Sequence, residues 1–169
     1  MNIELRRIRH RPETIDGQIW IDGQRVCDSA ENNKFALAPG TYPITLVKCH
    51  QHARKMPVIL ADESLRVQEF KSSNDTLEPL NQSKTIELLN CSACPKLPYV
   101  GNNSTMPMIC PMLKPGNGVY NRTDGSIIVG KHLAPGCLSH PLEAFHSLYE
   151  RIRKNNERGN PVYIIISSL

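Results

Sequence analysis

Aromatic side chains are scarce in this sequence, at 5% of 169 residues, and the net charge is only +4. Single-stranded nucleic acids are bound largely on aromatic stacking platforms beside basic grooves, so this composition argues against nucleic-acid binding. No apolar run approaches the roughly 18 residues that would span a bilayer, and the opening MNIELRRIRH lacks the apolar core of a secretion signal. We therefore expect no membrane segment and a chain that is cytoplasmic as synthesised, with a virion or signal-less export as alternative destinations.

The hydrophobic pattern predicts one domain, residues 1–169, of the α+β class and mostly β-strand. Asp22 and Gly23 lie between two short strand-like runs, and Asp-Gly accepts the positive φ angles of a tight hairpin turn. Ser139 is placed as the N-cap of an amphipathic helix over about 139–155, and 162–166 is a continuous apolar strand. The architecture we expect is a compact sandwich or barrel-like sheet with one C-terminal amphipathic helix.

Residues 62–105 interrupt this pattern. Loop-forming clusters at 72–75 and 101–104 flank a short apolar stretch at 86–89, and neither helical nor strand periodicity dominates between them. We therefore predict an insertion or long excursion from the core sheet at 62–105.

Three cysteines, Cys91, Cys94 and Cys110, form a candidate metal site. The first two have the spacing at which two thiolates bind one tetrahedral zinc from a tight turn. A structural zinc is one interpretation, while buried free thiols or a redox-labile pair are the others. The candidates for a fourth ligand are Cys49, His50 and His52.

The most informative stretch runs from 115 to 130, where a loop of glycine, asparagine and aspartate leads into an apolar strand. Its order resembles a family of small bacterial and phage domains of unknown function, whose signature is His-x-Gly-Asn, then Asp-Thr-x-Gly-Cys, an apolar strand and Gly. The resemblance extends to the first hairpin, to 38–43 and to the helix, about two-thirds of the chain. It implies a fold like that of the L,D-transpeptidases, in which a thiolate attacks a peptidoglycan peptide and a histidine takes its proton.

This chain departs from the signature at its reactive positions, because the histidine falls on Lys114, the aspartate on Arg122 and the cysteine on Ser126. A thiolate mechanism cannot run there. A Ser126 nucleophile with a Lys114 base is a chemical alternative, while a turn serine and a solvated lysine are the structural one. The residues assigned to ligand binding on this loop are Gly116, Asn117, Asp124 and Gly125.

Cys137 suggests a second nucleophile, since it lies between His132 and His140. A cysteine that leads into a helix N-terminus can be reactive, although it is as often merely packed.

The altered motif leads us to expect a non-catalytic binding or structural module on an L,D-transpeptidase-like scaffold, encoded by a phage or mobile element. A protein or peptidoglycan-like peptide is the expected partner. The alternative is a peptidoglycan-acting hydrolase or transpeptidase with Ser126, or with Cys137 and His132 or His140.

Overall fold

The computed structural model describes residues 1–49, 52, 54–60, 111–122 and 124–168, and the side chains of 48 and 49 are not part of this description. The predicted excursion at 62–105 and the zinc candidates Cys91, Cys94 and Cys110 lie outside the described residues, as do His50 and the side chain of Cys49. The elements are β1 (Asn2–His10), β2 (Thr14–Ile21), β3 (Gln24–Asn32), β4 (Gly40–Cys49), β5 (Arg54–Ile59), β6 (Leu113–Pro115), β7 (Ile127–Ala134), β8 (Cys137–Ser139), α1 (Pro141–Glu157) and β9 (Val162–Ser167).

The strands form one curved sheet in the order β5-β4-β9-β1-β2-β3-β7-β6, with β8 paired to β7. The two ends of the sheet approach each other, because Val58 of β5 forms a bridge with Met112 and the Ile59 N–H donates to the Pro111 carbonyl at 2.9 Å. The sheet is therefore nearly closed into a barrel. The predicted class, α+β and mostly β with a C-terminal helix, is confirmed.

The turn between β2 and β3 follows from its two residues. Asp22 and Gly23 have φ angles of 51° and 74°, and positive φ at both central positions characterises the type I′ turn, whose twist matches that of paired strands. The strands on either side pair from Ile21 and Gln24 outward. The predicted hairpin is confirmed.

The main core fills the barrel, and α1 covers it. Alternate residues of β1 and β9, such as Leu5 and Ile164, point inward, as the two-residue period of a strand requires. The helix adds Phe145, Leu148 and Ile152 to the same cluster.

The predicted N-cap of the helix is wrong. Ser139 is the last residue of β8, where it pairs with Lys131 and its hydroxyl donates to the Lys131 carbonyl at 3.2 Å. The N-cap is instead His140, in the left-handed region at φ 49° and ψ 44°, without a side-chain capping bond. Ser139 therefore pairs within β8, although the preference of serine for N-cap positions predicted that it would cap the helix.

An ion pair is buried within the barrel. The Arg7 guanidinium binds the Glu31 carboxylate through two hydrogen bonds of 2.8 and 2.9 Å and also donates to the Leu37 carbonyl at 2.6 Å. Arg7 lies opposite Gly17 in the β1–β2 pair, on the side of the sheet that faces the core. The pair therefore satisfies two charges that solvent does not reach.

A second, smaller core lies outside the barrel. The loop between β6 and β7, together with β8, folds over the outer face of β3 and β7 and buries apolar side chains there. This outer core consists of Ala30, Val119, Ile128 and Leu138. It fixes the position of the loop that contains the signature-like sequence.

Candidate functional site

The two reactive positions of the signature lie next to each other in the sheet. β6 and β7 are parallel neighbours, with Lys114 opposite Ile128, and Ser126 immediately precedes β7. The Lys114 ammonium forms an ion pair with Asp124 at 2.5 Å, and the other oxygen of that carboxylate accepts the Ser126 N–H at 3.0 Å. Lys114 and Ser126 are therefore brought into one cluster, and Asp124 joins them.

Ser126 is buried in this cluster. It is only 2% exposed, and its hydroxyl oxygen accepts the Met112 N–H at 3.2 Å. A nucleophile must meet a substrate carbonyl, and a general base must have hydrogen-bond access to the proton that it removes. In this arrangement the hydroxyl ties β6 to β7, and the Lys114 amine is directed at a carboxylate.

Opposing effects act on the Asp124 carboxyl. Burial alone would raise its pKa, but the Lys114 ammonium and hydrogen bonds from Lys114 and Ser126 outweigh burial and hold the pKa below its ordinary value. The carboxylate therefore stays charged at neutral pH, as a counter-ion for the buried lysine requires.

His52 lies close enough to this cluster to experience its charge. Burial lowers the pKa of the His52 imidazole, and the Lys114 ammonium lowers it further, while Asp124 partly opposes both. The sequence suggested His52 as a fourth zinc ligand. Within the described ranges, no group of three or more histidine, cysteine, aspartate or glutamate residues is arranged to hold a metal ion.

The glycines and asparagine of the motif shape the loop. A side chain at Gly116 would come within 2.9 Å of Ile128 Cγ2, and Gly125 has a φ of 71°, which side chains rarely tolerate. Asn117 binds the Leu138 backbone twice, because its side-chain amide donates to the Leu138 carbonyl at 3.1 Å and its backbone carbonyl accepts the Leu138 N–H at 2.9 Å. These residues, predicted to bind a ligand, hold the loop against β8.

Cys137 is separated from both of its candidate partners. His132 pairs with Leu138, whose side chain is buried in the outer core. Neighbouring residues of a strand face opposite sides, so Cys137 points away from the His132 side of the hairpin. His140 contacts the Ser139 hydroxyl at 3.2 Å, and no hydrogen bond links Cys137 to either imidazole in the part of the chain described.

The hairpin of β7 and β8 is held in position by a buried carboxylate that the sequence did not reveal. Asp16 of β2 is buried, accepts the Gly136 N–H at 2.9 Å and forms an ion pair with Arg11. The half-exposed His132 approaches the same carboxylate, with 3.7 Å between Nε2 and Oδ2. Asp16 and Gly136 are 120 residues apart in sequence, and no local motif marks a contact between residues so distant.

A cleft of about 570 Å³ opens between the start of β3, β7 and the start of α1. Its volume lies within the range of small-ligand sites. Cys27 lines it, and burial, followed by the neighbouring Asp28 carboxylate, raises the pKa of that thiol to about 12. The cleft thus presents a neutral thiol. Other lining residues are Val26, Lys131, His140, Glu143 and Ala144.

Comparison of the chain with family models, with curated proteins and with solved structures finds no match. Among the described residues, no helix has the length and apolar character needed to cross a membrane.

Proposed function

We propose that this protein is a non-catalytic peptide-binding module on an L,D-transpeptidase-like scaffold, encoded by a phage or mobile element. The observation that carries the proposal is the state of the two reactive positions. Ser126 is 2% exposed with its hydroxyl hydrogen-bonded to Met112, and Lys114 is ion-paired with Asp124. Both side chains stabilise the loop, and neither is presented to a substrate.

The resemblance of the 115–130 stretch to L,D-transpeptidase-like domains supplies the ligand class, which is a peptide of the peptidoglycan type. Loss of the thiol and imidazole leaves the loop intact, since Gly116, Asn117 and Gly125 still shape it. A module that keeps the frame of an active site without its reactive groups is suited to binding such a peptide without cleaving it.

The enzymatic alternative that uses Cys137 has less support. A thiol is activated when a base lies within hydrogen-bond reach, and His132 lies on the opposite face of the β7–β8 hairpin from Cys137. This arrangement favours a packed cysteine over a nucleophile.

The test is a two-dimensional NMR titration of the whole protein with the tetrapeptide L-alanyl-γ-D-glutamyl-L-lysyl-D-alanine, followed overnight in the same tube. We expect saturable amide shift changes in the protein together with an unchanged peptide spectrum. Cleavage or D-alanine exchange of the peptide would refute the non-catalytic part, and the absence of shift changes up to millimolar peptide would refute binding.

The variant Cys137→Ala provides the matched control for any turnover that is seen. Because Cys137 contributes a half-buried side chain at a strand end, its truncation should leave the fold and peptide binding unchanged. Turnover that disappeared in Cys137→Ala would identify the enzymatic alternative.

A further inference from the structure

We infer that the cleft between β3, β7 and α1 binds a short zwitterionic peptide, with its carboxylate at Lys131 and its ammonium group at Glu143. This inference rests on the proposed function and assigns its ligand site. The cleft is lined by Gly130 and Lys131 in the middle of β7, whereas Lys114 and Ser126 lie beside the start of β7. The inferred site is therefore separate from the degenerate motif.

The opposite walls of the cleft carry opposite, unpaired charges. Lys131 extends from β7 and Glu143 from the first turn of α1, and both line the cleft. In the part of the chain described, neither side chain forms an ion pair or hydrogen bond, with the other or with a third group. A ligand that carries both charges can satisfy the two walls together, whereas a singly charged ligand satisfies only one.

The other charged groups of the cleft are already occupied. Arg25 forms an ion pair with Asp28, and the second oxygen of Asp28 accepts the backbone N–H of His132 at 2.9 Å. Among the described residues that line the cleft, Lys131 and Glu143 are thus the charged side chains without a partner, and their positions define the orientation of the ligand's two charges.

The interior of the cleft suits the apolar body of such a peptide. Val26, Cys27 and Ala144 line it and also pack against the main core, so their positions are fixed by the barrel. Because the Cys27 thiol is neutral, it adds no third charge. Preformed pockets with an apolar interior and a few polar groups at the edge are typical of small-ligand sites.

The rim of the cleft includes a strained residue. His140 adopts the left-handed conformation, at φ 49°, without being a glycine, and it lines the cleft just before α1. Such backbone conformations persist where the surrounding structure enforces them, and they cluster at ligand sites. Here the conformation turns the chain from β8 directly into α1, which places Glu143 opposite Lys131.

The probe is trialanine, whose two termini are its only charges. We expect its amide shift changes to concentrate at residues 25–28, 130–131 and 140–147. N-acetylation or C-terminal amidation should each weaken binding to the native protein about two- to fivefold, because each removes one ion pair with an exposed side chain. In Glu143→Gln, acetylation should lose its effect while amidation keeps it, and in Lys131→Met the reverse should hold.

Glu13→Gln and Lys34→Met are the matched controls. Both side chains are exposed and lie near the far end of the β2–β3 pair from Arg25, so they remove the same charges without altering the cleft. Binding of trialanine and of its blocked forms should be the same as in the native protein. Equal losses in the control and cleft variants would overturn the inference, because a general charge effect would then explain them.

The failure of this inference can be distinguished from failure of the proposed function. If the alanyl-glutamyl-lysyl-alanine peptide binds but trialanine does not, or if shift changes lie outside the cleft, the site assignment is overturned and peptide binding stands. If neither peptide binds, both are overturned. If blocking trialanine has the same effect in Glu143→Gln and Lys131→Met as in the native protein, the assignment of the two charges is wrong.

Discussion

Replacement of Asp124 by asparagine tests the role assigned to the Lys114–Asp124 pair. The Lys114 side chain is 7% exposed and that of Asp124 is 33% exposed. Because water reaches Lys114 less, the lysine charge depends on its partner more than the aspartate charge does. Asp124→Asn leaves an ammonium group with little access to water. Removal of one partner from a fully buried pair costs about 3–5 kcal/mol. Lys114 and Ser126 bind different oxygens of the native carboxylate, so the one amide oxygen of asparagine can accept from only one of them. We therefore expect a loss of about 3 kcal/mol in the free energy of unfolding.

The reciprocal change should cost less. Lys114→Met leaves a carboxylate that water reaches and that still accepts the Ser126 N–H, and we expect a loss of about 1 kcal/mol. The double variant removes both charges, so its loss should be smaller than the sum of the two single losses.

Urea unfolding at pH 7 and fixed ionic strength measures these differences, provided that the slope with urea stays constant across the variants. Glu150→Gln is the control, because it breaks an exposed ion pair with Arg153 and should leave the midpoint unchanged. An Asp124→Asn loss no larger than that of Lys114→Met would refute the unequal dependence argued above. Fully additive losses would refute any dependence of the two charges on each other.

The pH dependence gives the same test a sign. The pKa of Asp124 lies below its ordinary value in the folded protein, so the stabilisation is complete above the unfolded pKa, about 3.9 for aspartate, and is lost as the pH falls through the folded pKa. The difference in stability between the native protein and Asp124→Asn should therefore stay constant from pH 7 to about 5 and narrow below about 4.

Three further predictions concern other parts of the fold. Burial raises the pKa of Cys27 from 9.0 to about 12, so iodoacetamide at pH 8 should modify it about a thousandfold more slowly than in urea-unfolded protein, by peptide mass mapping. Gly136→Ala should cost at least about 2 kcal/mol in urea unfolding, because its Cβ would lie 2.5 Å from Thr14. A Cβ at Gly23 would meet nothing within 4 Å, so Gly23→Ala should cost only about 1 kcal/mol, from the positive φ. Equal costs for Gly136→Ala and Gly23→Ala would contradict the packing argument. Arg7→Met should cost about 3–5 kcal/mol in the same assay because it strands the buried Glu31, and adding Glu31→Met should recover much of that loss.

The sequence predicts those parts of the fold that depend on local chemistry. Asp22 and Gly23 specify their turn because few residue pairs accept two positive φ angles, and the run at 162–166 forms β9 because a continuous apolar segment is most stable inside a sheet. The helix N-cap was mispredicted because Ser139 has two uses, and pairing with Lys131 in β8 prevails over capping. The sequence does not decide between a sandwich and a barrel-like sheet, since the bridge between Val58 and Met112 depends on tertiary packing.

The sequence names Lys114 and Ser126 as a candidate pair but does not show that they meet. They lie in one cluster because β6 and β7 are parallel neighbours in the sheet. Whether a side chain faces solvent or its neighbours depends on how the loop folds over the outer core, and sequence spacing carries no information on that. The sequence does not show the charges of the cleft for a related reason, since Lys131 and Glu143 come to line one cleft only through the β7–β8 hairpin and the left-handed His140.

The position of Asp124 links the altered motif to the non-catalytic proposal. In the resembled signature, the residue between the threonine and the glycine is variable, and here it is an aspartate that neutralises the lysine at the position of the histidine. A buried ammonium group requires such a counter-ion, because the energetic cost of burying an unpaired charge is several kcal/mol. The ion pair then occupies the amine that a serine nucleophile would need as its base. Lys114 and Asp124 therefore support each other as a structural pair, and the interaction that makes the lysine tolerable in the fold also engages its amine, as the non-catalytic proposal requires.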